Sequence, residues 1–273
     1  MENNLNTKAL PASTYEVALY ITHLAQSGLK STTCRTHLSA ISFFHKIHSH
    51  PDPADSFLIR KLLTSHKKND DPPAVRKPIT AKILTKLIKK IQTSTYTSHS
   101  KKLYTSVFTM MYHAALRASE TCVTPQSSHT LKAPQLELNK IPTGNTIKIK
   151  FTSYKHSQSQ PTPLVIYPSD LSTCPIRAYQ RYSHSRGRTN GPAFRNRDKT
   201  PLTRQQLAKT LHHLLSEINL NPLHFNTHSF RIGRATDMAN QGFTYAQIAL
   251  LGRWKSNAFL KYIKPSAIHA NSE

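Results

Sequence analysis

Apolar residues recur at helical spacing through most of the chain and alternate with polar ones in three short runs. Ser13 and Glu16 have the spacing of a capping box. Behind them Val17, Ile21 and Leu24 share one face, and Gly28 supplies a stop, which predicts a helix over 13–28. A second helix, over 31–48, has Cys34, Leu38, Ile41 and Phe44 as its buried stripe and leaves Arg35, His37 and Lys46 off it. A third, short helix over 56–65 leads into the basic run His66-Lys67-Lys68. Periodicity then fails over NDDPPAVRKP (69–78), where two adjacent prolines mark a linker.

Beyond the linker, 80–91 reads as a basic amphipathic helix with Ile83, Leu84, Leu87, Ile88 and Ile91 inward. Another helix over 99–116 buries Leu103, Val107, Met110 and Ala114. Three strand-like runs follow, QLELN (135–139), TIKIKF (146–151) and PLVIY (163–167). Gly144-Asn145 lies between the first two, and a polar loop between the others. Helical patterns return at 174–183, 203–218, 228–241, 244–251 and 256–263. The expected architecture is mainly α with a small antiparallel β-sheet, an α+β chain. Residues 1–70 form a helical domain, 71–78 a linker, and 79–273 a larger domain that carries the sheet.

Charge narrows the function. Among 273 residues, 37 Lys and Arg face 13 Asp and Glu, a formal net charge of +24. Such an excess destabilises a compact fold by self-repulsion unless a polyanion offsets it, so nucleic acid is the leading partner class. Seven glycines, none in a phosphate-cradling loop, exclude most nucleotide-dependent chemistry. Thirteen scattered carboxylates offer no dense acidic set for two metals. The 16 histidines lack an HExxH glutamate, and His224 and His228 lack a third ligand. No metal and no cofactor is expected. Three distant cysteines and the absence of a long apolar run fit an intracellular protein with no membrane partner.

Metal-free cleavage of a phosphodiester needs a nucleophile, fixed cations on the phosphoryl oxygens, and an acid for the leaving oxygen. The second half of the chain holds such a set. AALRASE (114–120) presents Arg117 at a helix end, with Glu120 three residues on to hold its guanidinium. HSFR (228–231) puts His228 and Arg231 on one helical face. LGRWKSNAFLKYIK (251–264) presents Tyr262 in a basic amphipathic segment, and Lys155 stands in the loop between the second and third strand-like runs.

This ordered set resembles the tyrosine recombinases, the phage-integrase superfamily, over roughly residues 10–265. That family's pattern is a Leu-Arg-x-x-Glu box, a hairpin lysine, a His-x-x-Arg box, a His or Trp after Leu-Gly, and a late tyrosine. The wording GRWKSNAFLKYIK is most similar to recombinases of eukaryotic Crypton- and DIRS-type mobile elements. The resemblance implies that the first domain is a core-binding domain and the second the catalytic one. It implies that Tyr262 attacks the scissile phosphate to form a 3′-phosphotyrosyl bond, that Arg117 and Arg231 clamp its oxygens, and that His228 acts on the tyrosine proton. Lys155 then protonates the leaving 5′-oxygen, with Lys148 and Lys150 on the preceding strand as alternatives. The His/Trp position falls to Trp254 by spacing from Arg231, or to Arg253 by counting back from Tyr262. The resemblance implies double-stranded DNA as the partner, bound by a homotetramer on two DNA sites.

Arg35, Lys46, Lys67, Lys68, Lys86 and Lys90 are the expected phosphate contacts, which give affinity rather than sequence choice. Two rival readings share the same residues: a type IB topoisomerase that relaxes supercoils, and a domesticated DNA-binding protein that no longer cleaves. The nucleus is the expected compartment for a eukaryotic chain, the cytoplasm otherwise.

Overall fold

The computed structural model describes residues 10–70, 76–124, 129–142, 144–152, 162–169 and 171–263, with backbone only at Ala258 and Tyr262. The chain divides into two compact units, Met1–Ala74 and Val75–Glu273.

The first unit packs three helices, α1 (Thr14–Gln26), α2 (Ser31–Ile47) and α3 (Phe57–Asn69). The Ser13/Glu16 capping box is formed, the serine accepting from the Glu16 N–H and the glutamate from the Ser13 N–H. Val17, Ile21 and Leu24 of α1 bury against Cys34 and Leu38 of α2 and Ile59 and Leu63 of α3. Phe44, expected in that stripe, is 49% exposed instead. His45, one residue on, takes the interior position and bonds Ala12 and the Ile41 carbonyl. Helix α3 runs four residues past its expected end and carries Lys67 and Lys68 with it. Asp70 then accepts from the Ser31 N–H at 3.0 Å, tying the end of α3 to the start of α2.

The second unit opens with an extended segment pinned in place. The Lys77 N–H donates to the His224 carbonyl at 2.8 Å and the Ile79 N–H to that of Ser229 at 2.9 Å. Ile79 is fully buried. It lies so close to helix α9 (Ser229–Asn240) that a Cβ at Gly233 would come within 1.8 Å of its carbonyl oxygen. Only glycine fits that approach.

Helices α4 (Ala81–Thr93) and α5 (Ser98–His113) follow, then the short α6 (Ala118–Thr121). Strands β1 (Leu136–Ile141), β2 (Gly144–Ile149) and β3 (Leu164–Ile166) form an antiparallel sheet in the order β1-β2-β3, with Leu138 opposite Ile147 and Ile147 opposite Ile166. Helices α7 (Pro175–Arg186), α8 (Arg204–Glu217), α9 and α10 (Tyr245–Gly252) complete the unit, and Asn257–Tyr262 form a 3-10 turn. The main core joins α4, α5, α7 and α8 to the sheet, through residues such as Leu87, Val107, Ile149, Tyr182 and Leu211. A smaller cluster, Met238, Ile248, Phe259 and Ile263, fastens α10 and the 3-10 turn to α9.

Candidate active site

Arg117 sits in a turn rather than at the end of α5. The helix stops at His113, and Ala115 takes a φ of 46°, a left-handed conformation that costs a non-glycine residue on the order of 1–3 kcal/mol. The turn presents two carbonyls to arginines from far along the chain. Arg231 Nη1 donates to the Ala115 carbonyl and its Nη2 to that of Gly252 at 2.8 Å. Arg253 Nη1 donates to the Ala114 carbonyl at 3.2 Å.

Glu120 organises the other side. Its carboxylate is 1% exposed and accepts from the Arg117 N–H at 2.8 Å, Arg117 Nη1 at 3.1 Å and Arg253 Nη2 at 2.8 Å. One buried carboxylate therefore holds two guanidiniums, one three residues before it and one 133 residues after it, charge-assisted bonds being the strong class. Arg117 keeps 23% of its side chain exposed, whereas Arg253 keeps 8%.

His228 precedes α9 as its N-cap, and its N–H donates to Asn226 Oδ1 at 2.9 Å. Burial, followed by the charges of Arg231 and Arg117, pushes its imidazole down to about 4. It is therefore neutral at neutral pH. Arg231 is 1% exposed and lies over the Trp254 ring at 4.5 Å.

The Leu-Gly-Arg-Trp stretch separates its two candidates by backbone geometry. Arg253 is the left-handed C-cap of α10, at φ 54° and ψ 44°. The reversal sends Arg253 to Glu120 and brings Trp254 beside Arg231, stacked on Phe259 at 5.5 Å. Gly252 makes room for this, since a Cβ there would stand 1.9 Å from Trp254 Cζ3. Arg253 also covers the Phe151 ring at 4.4 Å, just beyond the end of β2.

Arg117, Glu120, His228, Arg231, Arg253 and Trp254 thus share one site, built from the α5–α6 turn, the start of α9 and the end of α10. Lys155 lies outside the described residues, as does the side chain of Tyr262, whose backbone closes the 3-10 turn. Of the alternative lysines, Lys148 pairs in register with Val165, and Lys150 is bound to Glu137 at 2.5 Å. The remaining basic candidates lie on helix surfaces. Arg35, Lys67, Lys68 and Lys86 are exposed, Lys46 pairs with Asp52 at 2.9 Å, and Lys90 with Glu217 at 2.7 Å.

Sequence reasoning missed Asp237. It accepts from the Ala81 N–H at 2.6 Å and from Tyr112 Oη at 2.5 Å, joining α4 and α5 to the helix that carries Arg231. An acidic residue inside an apolar helical pattern, in a chain with 13 acids, was the available signal. Among the described residues, no three His, Cys, Asp or Glu side chains stand together as a metal site.

Solved structures with similar folds include integrases and site-specific recombinases. The Tn1549 transposon integrase, solved in complex with circular intermediate DNA, matches with a TM-score of 0.60 at 15% identity, over 96% of this chain and 85% of that one. The XerH site-specific recombinase, bound to a palindromic difH substrate, gives 0.65 at 13% identity, over 93% and 69%. A lambda integrase dimer bound to a core site gives 0.56 at 12%, over 94% and 65%. A search of curated protein sequences returns no match. The model of the phage integrase family matches residues 77–264, most of the chain. The chain belongs to the phage integrase family, the tyrosine recombinases.

Proposed function

We propose that this protein is a site-specific DNA recombinase that cuts and rejoins strands through a 3′-phosphotyrosyl intermediate at Tyr262. The observation that carries the reading is the convergence of Arg117, Arg231 and a neutral His228 on one turn, from segments more than a hundred residues apart. In this scheme the two arginines bind the non-bridging oxygens of the scissile phosphate. His228 takes the proton from the Tyr262 hydroxyl as its oxygen attacks phosphorus. The bond to the 5′-oxygen breaks, and Lys155 protonates that oxygen. A second strand's 5′-hydroxyl then reverses the steps, so no bond energy is lost and no nucleotide is consumed.

Glu120 and Arg253 act as positioning residues. They fix Arg117 against the turn that also receives Arg231, and Trp254 rather than Arg253 fills the position beside the clamp. The first unit serves as a core-binding domain, and Arg35, Lys46, Lys67, Lys68, Lys86 and Lys90 contact DNA phosphates. Mobilisation of a genetic element of the Crypton or DIRS type, by a homotetramer on two sites, completes the proposal. It is tested with nicked duplexes of randomised sequence in EDTA, in which cleavage traps the enzyme. An SDS-stable adduct that vanishes in Tyr262→Phe, with DNA affinity kept within a few-fold, is the expected result. Parallel loss of adduct and binding would remove Tyr262 from the nucleophile role.

A further inference from the structure

The second unit carries a basic cavity that the recombinase reading does not use. It measures about 400 Å³ and lies between α4, α5 and α7, lined by Lys89, Lys102, Arg177 and Arg181 with Gln92 and Thr105. Small-ligand sites run from roughly 300 to 1,000 Å³, so its size is that of a compact polar ligand. No carboxylate lines it, and among the described residues none of the four cations pairs with one. Lys90, which neighbours Lys89, pairs with Glu217 instead.

The cations are also arranged rather than scattered. Arg177 and Arg181 stand one turn apart on α7, a spacing at which like charges repel. Arg177 is fixed there by donating to the Leu171 carbonyl at 2.5 Å. Lys102 is half-buried. Cys174, the N-cap of α7, lines the same cavity. Burial pushes its thiol up, but backbone N–H donors and the Arg177 charge outweigh this and hold it below the usual value. The cavity is separate from the arginine clamp: Lys102 lies eleven residues before the end of α5, about 16 Å along the helix.

We infer that this cavity is a binding site for linked phosphoryl groups, held by Lys89, Lys102, Arg177 and Arg181. Two sources carry that chemistry, a free polyphosphate and consecutive phosphates of a DNA strand. The site does not depend on the strand-transfer scheme and stands if that scheme fails.

Inorganic tripolyphosphate is the probe, titrated calorimetrically into the full chain in phosphate-free buffer. Saturable one-to-one binding is expected, weakened tenfold or more in Arg177→Gln/Arg181→Gln. A charge-matched control at exposed lysines of the same unit that do not line the cavity, Lys132→Gln/Lys140→Gln, should stay within twofold of the parent. Lys89→Gln/Arg181→Gln, which spares the Arg177–Leu171 bond, provides a second pair should the first melt early. Absence of saturable binding, or equal losses in cavity and control variants, would overturn the inference. Duplex titrations then separate the sources. If DNA supplies the phosphates, the salt slope of duplex binding falls by roughly 2 in the cavity variant, about 0.9 per lost contact. If a free polyphosphate does, the slope is unchanged and tripolyphosphate still binds the DNA complex.

Discussion

Replacing Glu120 is the sharpest test of how the site is held. Its carboxylate is 1% exposed and lies between Arg117 and Arg253, with three hydrogen bonds of 2.8 to 3.1 Å. Glu120→Ala leaves two guanidiniums facing each other around a small void, and Arg253, at 8% exposure, loses this carboxylate inside the protein. Removing one partner of a buried pair costs about 3–5 kcal/mol. For a cooperative unit of this size each kcal/mol lowers Tm by roughly 2–4 °C, so a fall of about 6–20 °C is expected by calorimetry or circular dichroism. The diagnostic comparison is Glu120→Ala/Arg253→Met. Removing the second charge should restore part of the loss, giving a double-mutant coupling of at least about 1 kcal/mol. A Tm within 2 °C of the parent for Glu120→Ala, or strictly additive losses in the pair, would refute the reasoning.

Two other perturbations follow from the same geometry. Gly252→Ala forces the ring of Trp254, the one tryptophan, off its place beside Arg231, since the new Cβ would stand 1.9 Å from Cζ3. A loss of about 1–3 kcal/mol and a shifted tryptophan emission are expected, and unchanged emission with unchanged stability would count against the packing described. Stability should also fall with acid before the carboxylates titrate. His228 and His113 are both pushed down to about 4, chiefly by burial, then by neighbouring arginines. Because the unfolded chain takes up protons near 6.5 and the folded one does not, stability is complete above pH 6.5 and is lost as pH falls toward 4. Tm should therefore decline between pH 6.5 and 5, and less steeply in His113→Gln. A flat Tm over that window would contradict both assignments.

Most of the fold is legible in the sequence because its signals are local. The Ser13/Glu16 box, the stripe of α4 and the three strands each depend on residues a few positions apart. Where local pattern misleads, tertiary contact decides. Periodicity carries α5 on to Leu116, yet it stops at His113, and Ala115 adopts a positive φ without a glycine to announce it. The reason lies 116 residues away, in Arg231, which takes the Ala115 carbonyl that a longer helix would have directed elsewhere.

The candidate site was legible as residue types in order, not as geometry. Nothing in LGRWK distinguishes an arginine that reaches Glu120 from a tryptophan that reaches Arg231. The left-handed cap at Arg253 makes that assignment, and it shows only in three dimensions. Asp237 stayed hidden for the same reason, since both of its partners come from other helices. Phe44 gave way to His45 because the histidine finds two backbone partners inside the first unit, at Ala12 and Ile41.

In the proposed scheme Tyr262 forms the covalent link to DNA. The measurement that addresses it most directly is digestion of the SDS-stable adduct with trypsin and nuclease, followed by mass spectrometry of the nucleotide-bearing peptide. A nucleotide remnant on Tyr262, and on no other residue, is the expected result. A remnant on another tyrosine, such as the exposed Tyr245, or on a serine would contradict it.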